Sequence, residues 1–201
     1  MPAAMLEPRT LTGQYVRLEP LAPEHHAKLT AIGADPALWR YMPIDAATGY
    51  PGKLAQQIAA IEAGEQMVFA VIRLSDAALV GSVAYMAIAP AHARLEIGTI
   101  WYQQPAQGTV VNPETMLLLL DYAFASGFNR VEFKADAKNA RSRAAIRKLG
   151  ATEEGILRQH MWLPEGFDHP GRFRDSVYYS ILVDEWPALR DRLKKRLAAF
   201  G

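Results

Sequence analysis

Three stretches of this chain carry residue types whose spacing could do chemistry. The first is the run Gln107, Gly108, Thr109, Val110, Val111, Asn112, followed by Pro113 and Glu114. It reads as a loop entering a helix, where unpaired backbone N–H groups and the positive end of the helix dipole suit phosphate oxygens. Gly108 is the single glycine between Gln103 and Asn112, so the run is neither a P-loop nor a dinucleotide G-x-G-x-x-G. An ordinary well-capped helix is the other reading. The second stretch is KNARSRAAIRKLG, residues 138–150. At helical spacing Ser142, Ala145, Ile146 and Leu149 share a face, while Lys138, Arg141, Arg143, Arg147 and Lys148 ring the rest. Taken alone, these are a small packing serine and a solvated cationic surface. If the two junctions lie side by side in one sheet, a ligand between them would meet amides from one and cations from the other.

The third candidate is Glu96, set between Leu95 and Ile97 in an otherwise apolar strand. A carboxylate there is either a general base, acting directly or through water, or a rim carboxylate bonded to a neighbouring strand. The five histidines give no metal constellation: His25 and His26 are adjacent, the others are isolated, and no H-E-x-x-H occurs. No metal is expected. The loop Pro164 to Asp175 is long enough to form a substrate rim, with Asp168, His169, Arg172 and Arg174 giving it polar reach; Trp39, Arg40 and Tyr41 would form an opposing wall.

The elements that must position these residues can be read from periodicity. Val16 and Leu18 alternate with Arg17 and Glu19, a strand signal, and a helix opens at Pro23. A short helical piece, LWRYMP, and a helix over 52–62 follow. Strands are expected at 67–74, 79–89, 95–102 and 130–136, with later strands at 154–163 and 176–183. Between them come helices over 113–126 and 139–149, and a closing helix over 184–199. Asn112 is the expected N-cap of the first of these, with Pro113 at its first position and Gly127 as its stop. Its apolar residues cover most of the circumference, so it should be sandwiched. The order fits an α/β (α+β) fold with a mixed, mostly antiparallel sheet and helices on both faces. Residues 1–13 are expected to form a tail and residues 14–201 one domain.

Composition narrows the field. With 201 residues, 50% hydrophobic and 21% charged, the chain can bury a real core. Lysine plus arginine number 22 against 21 acids, so no global field recruits nucleic acid or a membrane. The absence of cysteine removes thiolate chemistry and disulfides. The N-terminal stretch has acids and prolines where a signal peptide needs apolar residues, and no apolar run approaches the ~20 residues that span a bilayer. A cytoplasmic protein is expected.

The motifs EIGTIW, QGTVVNPE followed by LLLLDYAF, and NRVEFKADAKNARSRAAIRKLGATEEGILRQHM resemble the acyl-CoA-binding core of the GNAT superfamily of N-acetyltransferases. The RimJ/RimL-like branch is the nearest, with LWRYMP and DSVYYSILVDEW matching segments of it; the resemblance runs from about Tyr15 to Trp186. It implies a single-domain GNAT-like fold whose splayed central strands admit acetyl-CoA as co-substrate. By that resemblance Gly98, Thr99 and Ile100 would bond the pantetheine arm through their backbone, and Gln107 to Asn112 would wrap the diphosphate. Asn139 and Arg141 would contact the cofactor, and Ser142 would lie near its sulfur. Glu96 would be the base and Ser142 the donor to the leaving thiolate. Val110 and Asn112 stand where small residues are usual, and Ile146 stands where many relatives have a tyrosine.

The expected activity is direct acetyl transfer, through a tetrahedral intermediate, to a primary amine of a protein N-terminus or a small molecule. Trp39, Tyr41, His169 and Arg172 are the expected acceptor contacts. The alternative is a non-catalytic acyl-CoA-binding or regulatory module on the same fold. The apolar stretch Tyr178 to Leu182 leaves a homodimer open.

Overall fold

The computed structural model describes residues 6–166 and 170–200. Eight strands form one sheet in the order β1-β2-β3-β4-β5-β6-β8-β7. They are β1 (Leu11–Thr12), β2 (Val16–Pro20), β3 (Met67–Arg73), β4 (Ala78–Ala89), β5 (Arg94–Tyr102), β6 (Arg130–Asp136), β7 (Thr152–Leu163) and β8 (Arg172–Leu182). Five helices accompany them: α1 (Pro23–Gly33), α2 (Gly49–Glu62), α3 (Val111–Ala125), α4 (Ala140–Leu149) and α5 (Trp186–Ala198). Every pairing is antiparallel except β5 with β6. A two-residue strand, β1, thus joins the sheet from within the expected tail, with Leu11 in the core.

The period of two along the strands sorts side chains onto two faces. On the back face Phe69, Val71, Tyr85, Leu95, Ile97, Val131, Phe133, Val177 and Tyr179 pack with residues of α3, α4 and α5. On the front face Ala70, Ile72, Leu79 and Trp101 pack with Leu29 of α1 and with Tyr50 and Leu54 of α2. The front-face helices thus cover the half of the sheet built from β3 to β5, whereas β6 and β8 turn polar residues to that side. The expected two-faced α/β arrangement is the observed one.

Several boundaries differ from the sequence pattern. The helix α3 begins at Val111, and Val110 rather than Asn112 is its N-cap. The Thr109 hydroxyl accepts from Val111 N at 3.3 Å and starts the turn early, while Asn112 Oδ1 accepts from the Tyr102 hydroxyl at 3.4 Å. Pro113 is tolerated because first-turn amides have no helical partner to lose. Strand β8 begins at Arg172, inside the expected loop, because Phe173 and Arg174 pair with Trp162 and Met161 of β7. Ala145 of α4 faces solvent; Ile146 and Leu149 supply that helix's buried contacts.

Candidate active site

The sheet opens where β5 leaves β6. The two strands pair through only Arg94↔Arg130, Leu95↔Val131 and Glu96↔Glu132. Beyond Glu96, β6 continues with β8 as its partner, and the β6-facing edge of β5 from Ile97 to Tyr102 has no strand beside it. The β4–β5 register also shifts between Ser82 and Ala84, opposite Thr99, which adopts a left-handed φ of 47°. A bulge of this kind bends a strand away from its neighbour and leaves ladder groups unpaired. Thr99 Oγ1 is buried there without a hydrogen-bond partner among the described residues.

The end of β5 delivers the chain to the loop before α3. Gly108 takes a φ of 75°, and a Cβ there would touch nothing within 4 Å, so the turn stands open. Val110 has an ordinary helical φ of −64°. Its branched side chain therefore meets no demand for a left-handed backbone; Gly108 alone in this loop carries that conformation. Among the described residues no hydrogen bond occupies the amides of Gly108, Thr109 or Val110. The acid in the first turn, Glu114, does not face the loop. It is buried, and its carboxylate accepts from Gln14 N at 2.8 Å and from Tyr15 N and Val16 N at 2.6 Å each. The helix therefore presents free amides on one side and spends its acid on the other, an arrangement that fits a diphosphate.

The start of α4 lies against this loop. The Arg141 guanidinium donates to Gln107 Oε1, and Gln107 Nε2 donates to Tyr102 O at 2.7 Å. Asn139 caps α4 by accepting from Ser142 N at 3.0 Å, and Ser142, half-buried, occupies the first turn. Arg143 is not a solvated cation: it donates to the Tyr179 hydroxyl at 3.2 Å and to Ala137 O at 3.1 Å. The two strand-to-helix junctions are thus neighbours, and the orphaned Thr99 hydroxyl, the open turn at Gly108 and Arg141 suit a ligand with a polar arm and phosphates. Such residues fit acetyl-CoA.

Glu96 stands at the mouth of the parting, on the front face, 5% exposed. It is no rim carboxylate, although it does bond a neighbouring strand: Oε2 lies 3.0 Å from Lys134 Nζ of β6. Burial pushes its carboxyl above the usual carboxylate range, a rise opposed by Lys134 and Arg174 and assisted by Glu132. Beyond it β8 lines the front face with Arg174, Ser176 and Tyr178. Ser176 Oγ bonds Arg174 Nε at 3.0 Å and His160 Nδ1 at 3.1 Å. Burial first, then Lys134 and Arg174, hold His160 below its ordinary value, so its imidazole is neutral at neutral pH.

The expected acceptor wall divides. Trp39 is 2% exposed, stacks on Tyr50 at 5.4 Å and meets Trp101 edge-on at 5.1 Å, so it belongs to the front core and not to the wall. Tyr41 is half-buried and its carbonyl accepts from Arg174 at 3.3 Å, while Arg172 is paired with buried Asp136. His169 lies outside the described residues. No sequence motif marks Lys134, Asp136 or Ser176; the one available signal is the alternation of Lys134 with Glu132 on a strand next to the expected base. No group of three or more His, Cys, Asp or Glu among the described residues is placed to hold a metal ion.

Comparison with known proteins decides the family, since residues 16–152 match the acetyltransferase (GNAT) domain. This chain belongs to the GNAT acetyltransferase family. Its sequence is 32% identical over 114 residues to YdaF of Bacillus subtilis (strain 168), provisionally named a ribosomal N-acetyltransferase. That match spans 56% of this chain and 58% of YdaF. A GCN5-related N-acetyltransferase from Brucella melitensis superposes with a TM-score of 0.87 at 29% identity, covering 98% of this chain and 88% of that one. Mycobacterium smegmatis RimJ, solved in complex with CoA-disulfide, superposes with a TM-score of 0.76 over 94% of this GNAT chain and 95% of its own. At 22% identity the likeness to RimJ is one of fold.

Proposed function

We propose that this GNAT protein transfers the acetyl group of acetyl-CoA to a primary amine. The observation that carries the reading is the parting of β5 from β6 immediately beyond Glu96, next to a loop in which the amides of Gly108, Thr109 and Val110 have no partner among the described residues. In this reading the backbone of Gly98, Thr99 and Ile100 bonds the pantetheine arm. The amides of Gly108, Thr109 and Val110 hold the diphosphate, with Asn112 in the first turn of α3 beside them and Arg141 adding charge; Gln107 N and Val111 N, expected to join them, are already bonded to Gln104 O and Thr109 Oγ1. Asn139, whose side-chain carbonyl caps α4, has its amide NH₂ left to donate to the cofactor arm.

Acetyl-CoA supplies a thioester carbonyl; the chain's residues manage protons and charge around it. Glu96 removes a proton from the incoming ammonium or amine, so that the nitrogen lone pair can form the new C–N bond. As the C–S bond breaks, the Ser142 hydroxyl, at the start of α4, donates towards the departing sulfur. An α-amino group has a pKa of about 7.7–8.0, so modest base assistance suffices near neutrality. The naming of YdaF as a ribosomal N-acetyltransferase supports a protein acceptor and a cytoplasmic place of action; a protein N-terminus is the primary amine this reading takes. The polar front face around Tyr41, Arg172 and Arg174 is where that acceptor would lie.

Ile146 favours a second reading. It is buried in the back core, at the position where the family resemblance leads one to expect a tyrosine, and a site without that proton donor could bind acyl-CoA without turning it over. Thiol release from acetyl-CoA, measured with a panel of amines that includes an alanine-initiated peptide and free amino acids, separates the two. Release with some amine, reduced strongly by Glu96→Gln, is expected; CoA binding with no release across the panel would establish the second reading instead.

A further inference from the structure

We infer that Lys134 is a positioning residue, bridging the opening between β5 and β6 to hold the Glu96 carboxylate in place. The inference rests on the reading of Glu96 as the base. The backbone ladder joining the two strands ends at Glu96↔Glu132, and Lys134 is the next residue of β6 on the same face. Its ammonium reaches back across the gap to Glu96 Oε2 at 3.0 Å, so a side-chain bond continues where the backbone bonds stop. Both side chains are largely buried, 6% exposed for Glu96 and 17% for Lys134. Gly98 leaves the room the carboxylate occupies: a Cβ there would come within 2.6 Å of Met86 Sδ and 2.9 Å of Glu96 Oε1. Lys134 is itself steered by the Tyr178 ring, whose centroid lies 5.8 Å from Nζ.

The remaining groups facing Glu96 cannot replace it. From β6, Glu132 repels the carboxylate and is tied to Arg94 and Arg130; from β8, Arg174 attracts it but is bonded to Ser176 and Tyr41. Asp136 is committed to Arg172 and to Lys138 N, and His160 lies beyond Tyr178. From β4 comes the uncharged Met86. Lys134 is the one cation within bonding distance of Glu96 among the described residues. Without it a buried carboxylate loses its partner and takes up a proton in its place, and a protonated Glu96 cannot accept one from an amine.

The test follows Glu96 itself. In protein carrying ¹³C-carboxyl-labelled glutamate, with the Glu96 resonance assigned from Glu96→Gln, the titration midpoint is compared among the parent, Lys134→Met and Lys134→Arg. Lys134→Met is expected to raise the midpoint by about one pH unit or more, the size typical of a close opposite charge, and Lys134→Arg to hold it near the parent value. A midpoint unmoved in folded Lys134→Met overturns the inference; if that variant does not fold, Lys134→Gln carries the same comparison. The acid limb of kcat/KM for an alanine-initiated peptide should move in step. If the resonance moves and the limb does not, the ion pair stands and the assignment of Glu96 as base fails.

Discussion

The Arg141 guanidinium donates to Gln107 Oε1, joining the loop that enters α3 to the first turn of α4. The same glutamine is anchored to the last carbonyl of β5, so strand end, loop and second helix form one connected unit beside the opening in the sheet. Arg141 is otherwise exposed, and its remaining N–H groups are available to an anion. Arg141→Gln is expected to raise the Kd for CoA about tenfold, the cost of a charge-assisted contact. Calorimetric titration at two ionic strengths checks this, because the penalty should shrink as salt screens the parent's advantage.

Gly108 supplies the left-handed turn of that loop, with open space where a side chain would sit. Gly108→Ala therefore costs backbone strain and no collision, about 1 kcal/mol, and should lower Tm by about 2–4 °C in a chain of this size. Gly108→Asn should cost less, since asparagine tolerates this conformation. Thermal unfolding of the two variants side by side gives the comparison.

Glu114 fastens the N-terminal strand to α3 by accepting three amides of the segment Gln14 to Val16. An amide side chain has one acceptor oxygen and would turn an N–H group towards those donors. Glu114→Gln is expected to lose about 2–3 kcal/mol, the scale of charged hydrogen bonds broken in a buried place. Urea unfolding with an unchanged m-value would identify the loss as one of native-state stability. Gly13→Ala should also destabilise, because its Cβ would approach the Glu114 carboxylate to 2.5 Å.

Much of this fold is legible in the sequence because local signals agree with one another. Alternation in β2, the Pro23 start of α1 and the Gly150 stop of α4 each reflect a physical demand met within a few residues. The site is legible only in part. The loop and the cationic helix stand out as motifs, yet Gln107 and Arg141, through which they meet, stand 34 positions apart in the chain. Trp39 misleads because a tryptophan in a polar, proline-flanked segment looks like a surface residue; only the aromatic cluster with Tyr50 and Trp101 makes it core. Arg174 is buried because β8 extends into what reads as a loop, and no local pattern announces that extension. Val110 stands where small residues are usual, but its φ is helical, and the left-handed residue of the loop is Gly108, which the sequence alone does not assign.

The environment of Glu96 fixes the sign of the pH dependence. Its carboxyl is raised above 4.5 chiefly by burial, and a base must be ionised to act. The rate of amine acetylation should therefore fall as pH drops through a midpoint above the ordinary carboxylate range. A second dependence, from the acceptor, appears nearer neutrality as an α-amine gains its proton, about 7.7–8.0. The lower limb in the kcat/KM profile should disappear in Glu96→Gln, leaving a small residual rate governed by the amine alone.

Acetyl transfer by this chain requires that coenzyme occupy the opening beyond Glu96 and the turn at Gly108. Titrating the folded protein with CoA in a calorimeter tests this without knowledge of the acceptor. One CoA bound per chain, weakened by Arg141→Gln and by a bulky substitution at Gly108, is the expected result. A folded chain that gives no binding heat at several temperatures, and whose amide spectrum between Gln107 and Ser142 is unmoved by CoA, would contradict it.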